Sequence, residues 1–185
     1  MVQWLRNSVV ARWLLTVLRI WIGVEWIQAA TEKIGSPVWT GAKAGVAVSG
    51  FLQHALTLTG GAHPAVQGWY GGFIRNVALP NAKLFSYLVS YGELLVGIGL
   101  ILGCFTTFAA LAGVVMNMSY LLAGTTSTNP NMVIWQVLLL VAGANAGYYG
   151  LDYFVLPYVR RLYRKWLHMA QAEAELPARK PKMPA

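Results

Sequence analysis

Acidic side chains and cysteine are scarce in this chain, which has six Asp and Glu against fourteen Lys and Arg and one cysteine in 185 residues. A single thiol excludes an intramolecular disulfide, Cys-x-x-Cys exchange and a chain-borne iron–sulfur cluster, so Cys104 reads as a small apolar filler. Histidine is nearly as rare. His54 and His63 fall in the first long connection and His168 in the tail, so no predicted span carries a histidine and paired-histidine haem ligation across the core is excluded. No Gly-x-Gly-x-x-Gly follows a strand, so no dinucleotide cradle or flavin motif is recognised, and there is no internal repeat. Charge is also low, at 11% against the roughly 25% of soluble domains, while 57% of residues are hydrophobic. The composition is that of an integral membrane protein.

Four stretches approach the roughly 20 residues that cross a hydrocarbon core: Trp13 to Thr31, Leu84 to Gly103, Phe105 to Ala123 and Met132 to Leu151. The pattern predicts an all-α membrane protein, a four-transmembrane-helix bundle over residues 1–157 followed by a basic cytoplasmic segment over 158–185. Arg160, Arg161, Arg164 and Lys165 directly after the last span, with Arg6 and Arg12 before the first, place both termini on the cytoplasmic side of a multi-pass topology. The same distribution assigns the net charge of +8 to the membrane surface rather than to nucleic acid. A cleaved signal peptide is the competing reading of the first span. Its apolar run exceeds the usual 7–15 residues and holds Arg19 and Glu25, so retention is expected.

Between the first two spans, Gly35 and Pro37 stop the helix and Trp39 suits the interface. Lys43 to Leu58 is compatible with a helix on the outer surface, and the aromatic stretch Pro64 to Pro80 reads as a second piece of a cap. After the last span, Val159, Leu162, Trp166 and Met169 recur opposite the basic residues, which predicts an amphipathic helix on the anionic inner leaflet. A helix simply continuing the fourth span is the alternative. Leu176 to Ala185, with three prolines and three basic residues, is expected to be disordered. Gly99 with Gly103, Ala109 with Gly113 and Gly143 with Gly147 repeat at four and offer faces for close helix approach.

Ionisable groups inside such spans cost at least about 2.5–3.5 kcal/mol and therefore face partners or cavities. Arg19 and Glu25 in the first span and Glu93 in the second are the candidate catalytic residues. Ser86, Ser90, Glu93 and Gly97 form one stripe, which should face the bundle interior, and Arg19, Trp26 and Lys33 form another on the first helix. Arg19 and Glu25 are not spaced to pair. Glu93 is the expected partner of Arg19, leaving Glu25 protonated or paired with Lys33 or polar groups, so that a proton-accepting carboxyl remains in the membrane. Asn117, Tyr120 and Gln136 complete a polar layer toward the outer side and, with Lys33, are the candidate binding residues; no metal site is expected. The competing structural reading is that buried ion pairs merely fix helix register. Asn145 and Asp152 more often satisfy helix ends than perform chemistry.

Several segments in order resemble one family. Leu18-Arg19-Ile20-Trp21-Ile22-Gly23, Lys33 with Pro37-Val38-Trp39-Thr40-Gly41, Pro80-Asn81-Ala82-Lys83-Leu84-Phe85, Gly92-Glu93, Met116-Asn117-Met118, Gly124 to Pro130 and Ala146 to Asp152 are similar to DoxX and DoxD-type bacterial membrane proteins, over about 18–157. The resemblance implies a four-helix bundle in a prokaryotic cytoplasmic (inner) membrane, with Arg19, Lys33, Glu93, Asn117, Asn129 and Asp152 on motif positions. The DoxD branch is associated with thiosulfate:quinone oxidoreductase. The chain departs by lacking a segment like the smaller DoxA partner. The expectation is a quinone-interacting subunit of a membrane oxidoreductase, with quinone as the diffusible carrier, lipid and a redox subunit as partners, and self-association open. The alternative is a non-catalytic anchor or assembly subunit of a redox complex. A transporter is a third reading, weakened by the missing inverted repeat.

Overall fold

A computed structural model describes residues 1–174, with side chains described through Leu167; the proline-rich tail and the side chains of His168 and Met169 lie outside the described residues. Among the described residues the chain is all-helical: α1 (Val2–Asn7), α2 (Val9–Ile34), α3 (Val46–Thr57), α4 (Gly68–Phe73) running into a π-helical turn (Ile74–Ala78), α5 (Ala82–Leu102), α6 (Thr106–Leu122), α7 (Asn129–Ala142), a 3-10 turn (Gly143–Asn145) and α8 (Asp152–Ala174). Helices α2, α5, α6 and α7 pack in a closed ring, α2 on α5, α5 on α6, α6 on α7 and α7 back on α2. Leu15, Ile22, Trp26, Val96, Leu100, Ala110, Met132 and Leu139 fill its interior. Among the described residues one helix, α5, is both long and apolar enough to cross a membrane by itself, at 21 residues; α6 is apolar but has 17.

The tightest element contact is α2 against α5. A Cβ on Gly97 would lie 2.9 Å from the Gly23 carbonyl oxygen and 2.7 Å from Ile27, and one on Gly23 would lie 3.0 Å from the Gly97 carbonyl oxygen. Glycine at both positions lets the two backbones touch, the packing mode available where lipid competes for larger apolar side chains. Gly99 likewise meets Ala109 of α6, and Gly113 of α6 makes room for Gln136 of α7. The expected packing role fails at Gly143, which has open space beside it and φ +58°, ψ −130°, a conformation that favours glycine.

That glycine ends the fourth bundle helix early. The sequence pattern predicts a helix from Met132 to Leu151, whereas α7 runs Asn129–Ala142. Asn145 then binds away from its own helix: its Nδ2 donates to Leu5 O at 2.6 Å and Ser8 O at 3.2 Å, and its Oδ1 accepts from Arg12 Nε at 2.6 Å. Residues 146–151 fold back to the end of the bundle at the C-terminus of α5, where Leu151 N–H donates to Leu102 O and Asp152 N–H to Gly103 O. Because this segment separates α7 from α8, α8 is a distinct helix and not a continuation of the fourth span.

On the opposite end, α3, α4 and the π-helical turn form the expected cap, with its own core of Val48, Leu52, Ala55, Val66, Tyr70 and Ile74. Tyr70 ties the cap to the bundle by donating from its hydroxyl to Ser119 O at 2.9 Å, and burial pushes its phenol up from the ordinary range, so it stays a donor.

The α2–α5 contact makes a direct prediction. Gly97→Val should destabilise the detergent-solubilised protein by about 1–3 kcal/mol through overpacking, whereas Gly50→Ala, with open space around it, should be neutral or slightly stabilising. Thermal unfolding followed by circular dichroism checks both.

Candidate functional site: a carboxylate held between three helices

The antiparallel α2–α5 register sets which buried groups meet. With Gly23 opposite Gly97, Arg19 lies level with Ile101 and Glu93 with Ile27. Arg19 and Glu93 are therefore separated by eight residues, about 12 Å along the axis, and the expected ion pair between them does not form. The midpoints of α2 and α5 do not coincide, because α2 extends well past the inner end of α5.

Glu93, 2% exposed, takes Lys33 of α2 instead, with Nζ to Oε2 at 2.8 Å. Its other oxygen, Oε1, accepts from the Tyr120 hydroxyl of α6 at 2.9 Å. Lys33 also donates to Ala29 O at 3.2 Å and lies 5.3 Å from the centre of the Trp39 ring. Its side chain is 20% exposed against 3% for Glu93, so the pair runs from the outer rim into the core. The Ser86, Ser90, Glu93 and Gly97 stripe is buried as its spacing predicts, with Ser86 Oγ donating to Trp39 O and Ser90 Oγ to Ser86 O.

Next to this cluster on α6, Asn117 Nδ2 donates to Gln136 Oε1 of α7 at 3.0 Å; both side chains are buried. Gln136 Nε2 and Trp26 Nε1 are buried without a hydrogen-bond partner among the described residues. Trp26 is on the register level of Glu93 and packs in the same core as Met132 and Leu139, which flank Gln136 by four and three residues. It was absent from the expected site. Its membership of the Arg19–Trp26–Lys33 stripe was the sequence signal for it.

Glu25 is half-buried and makes no hydrogen bond or ion pair among the described residues, so it stands outside the cluster, and Lys33 is already engaged by Glu93. Arg19, 1% exposed, is a helix-end residue: Nη1 donates to Leu100 O and, at 3.2 Å, to Ile101 O, and Nη2 donates to Tyr149 O at 3.3 Å. Leu100 and Ile101 O are among the last carbonyls of α5, at its negative dipole end, where a cation is favoured, and Tyr149 belongs to the segment that folds back beneath it. Asp152 does the converse for α6, its Oδ1 and Oδ2 accepting from Phe105 N at 2.6 Å and Thr106 N at 2.9 Å. That contact holds Phe105 at φ +50°, an uncommon conformation for a non-glycine residue. Asn145 and Asp152 thus satisfy helix ends and loops. Asn129 Nδ2 reaches back to Thr125 O at 3.1 Å and closes the α6–α7 loop.

The DoxX family model matches residues 14–125, more than half of the chain. The chain belongs to the DoxX family. This matched region of the DoxX chain carries Arg19, Trp26, Lys33, Glu93, Asn117 and Tyr120, whereas Gln136 and Asp152 lie beyond it. DoxX membership is consistent with a membrane-associated, redox-related role. No curated protein and no solved structure matches the chain.

Removing the cation from a buried pair leaves an uncompensated carboxylate, so Lys33→Met should cost about 3 kcal/mol. Adding Glu93→Gln to Lys33→Met should recover part of that loss. A double-mutant cycle on detergent unfolding measures the coupling; strict additivity would mean that the pair contributes nothing.

Proposed function

We propose that this DoxX protein is a quinone-interacting subunit of a membrane oxidoreductase, and that the Lys33–Glu93–Tyr120 cluster is its proton-handling site. The observation that carries the reading is the Glu93 carboxylate, buried between α2, α5 and α6 yet joined to the outer rim through Lys33. A quinone, when bound, supplies two-electron chemistry coupled to two protons, and the electrons come from a partner subunit because no resident carrier is encoded. The buried donors Trp26 Nε1 and Gln136 Nε2 suit a group that presents oxygen acceptors, since an unmet buried donor costs about 1–3 kcal/mol. Glu93 holds or releases a proton at Oε1 or Oε2, Tyr120 presents its hydroxyl beside it, and Lys33 fixes the carboxylate and leads outward. Asn117 holds the Gln136 amide in place. Arg19 drops out of the chemistry, being committed to carbonyls. By likeness to DoxD, thiosulfate is the candidate ultimate donor, through a partner.

The bundle of α2, α5, α6 and α7 is proposed to span a prokaryotic cytoplasmic membrane over residues 1–157, with the α1 side and α8 facing the cytoplasm. Two features support this placement. The outward faces are apolar on every helix, with Val17, Leu95, Phe108 and Ile134 each more than 60% exposed. Arg12 and Lys33, twenty-one residues apart on α2, are separated by about 31 Å at 1.5 Å per residue, close to a hydrocarbon thickness of about 30 Å.

A second reading, a non-catalytic anchor or assembly subunit, is favoured by one observation: both Glu93 oxygens already have protein donors. Purified protein decides between the two. Retained quinone, with quinone turnover in the intact complex falling at least about a hundredfold in Glu93→Gln, the low end for loss of a general acid or base, is the expected result. Protein without quinone, and a Glu93→Gln variant with unchanged turnover, would leave only the anchoring role.

A further inference from the structure

An open groove of about 680 Å³ lies at the inner end of the bundle, walled by Leu102, Tyr148, Tyr149, Leu151, Tyr153 and Phe154. A cation lies beside one of its lining rings. The Arg12 guanidinium sits 3.9 Å from the centre of the Tyr148 ring and donates from Nε to Asn145 Oδ1, while its two terminal amino groups have no hydrogen-bond partner among the described residues. Neighbouring Trp13 packs against Tyr149 with ring centres 4.5 Å apart and planes tilted by 32°, so the wall is aromatic and braced by α2.

The groove continues into α8, because Tyr153 and Phe154 belong to both. Two turns further on, α8 presents Arg160, Arg161, Arg164 and Lys165 to one side, and Tyr158, Val159, Leu162 and Trp166, all exposed, to the other. No acidic residue occurs from Tyr153 to Leu167, and Asp152 is engaged by the Phe105 and Thr106 amides.

We propose that this groove seats an anionic phospholipid of the inner leaflet, with its phosphate on the Arg12 amino groups and an acyl chain along Tyr149, Phe154 and Leu102, and that α8 lies on the surrounding headgroups. Charge and lining select this occupant. A neutral lipid or quinone leaves the Arg12 amino groups unanswered, free phosphate leaves the aromatic wall bare, and a second copy of the chain would bring cations against cations. Tyrosine-rich walls beside a cation are the composition of a membrane interface. The proposal requires membrane placement of the bundle but not a role for quinone.

The test uses the full chain in neutral detergent, offered phosphatidylglycerol or phosphatidylcholine, with retained lipid read by native mass spectrometry. Phosphatidylglycerol should be retained in preference, and retention should fall about fivefold for each surface cation removed, the equivalent of about 1 kcal/mol per cation. The variants are Arg12→Gln and, separately, the combined Arg160→Gln, Arg161→Gln, Arg164→Gln and Lys165→Gln. Because Arg12 also anchors Asn145, Phe154→Glu on the exposed groove wall provides an independent variant and should likewise expel the lipid. Equal retention of both lipids, displacement by inorganic phosphate alone, a quinone retained in the groove, or unchanged retention in Phe154→Glu would each overturn the proposal.

Discussion

The bundle depends on one backbone contact, that of α2 and α5 at Gly23 and Gly97. In a lipid environment apolar side chains gain little by leaving the solvent, so close approach and polar contacts decide which helices associate and in what register. Two glycines facing each other fix that register to the residue. Once it is set, Lys33 can reach Glu93, and Arg19 arrives under the last carbonyls of α5. A shift of one turn would move α2 by about 5.4 Å along α5 and break both.

The buried charges divide by what surrounds them. Arg19 and Asp152 answer backbone groups at opposite ends of the sharp α5–α6 turn, the cation on carbonyls and the anion on amides, as helix dipoles require. Those contacts explain their burial without any reaction. Glu93 differs, since its partners are side chains from two other helices, one of them reaching the rim. A carboxylate whose protonation is coupled to a lysine and a phenol can change state without loss of a helix cap, and Arg19 has no such freedom.

Much of this was legible in single helices. The stripes Arg19–Trp26–Lys33 and Ser86–Ser90–Glu93–Gly97 identified inward faces, and the aromatic stretch before Pro80 identified the cap. What the sequence did not carry was the offset between helices, and without it Glu93 is paired with Arg19 rather than Lys33. Glycine was the other source of error. Gly97 and Gly143 look alike in a hydrophobic run, but the first admits a neighbouring backbone and the second turns the chain at positive φ and ends α7 nine residues before the predicted boundary. Trp26 was legible by position yet overlooked, because an indole in an apolar helix reads as packing until its N–H is found without an acceptor.

Arg12 and Lys33 also make α2 a measuring rod. Each cation is tethered at its own end, Arg12 to Asn145 and Tyr148, Lys33 to Glu93. In the proposed membrane placement, a bilayer thicker than their separation would draw one of them toward hydrocarbon, and a thinner one would force the helix to tilt, at a cost of fractions of a kcal/mol per Å. That placement would convert membrane thickness into tension on the carboxylate at one surface and on the aromatic groove at the other.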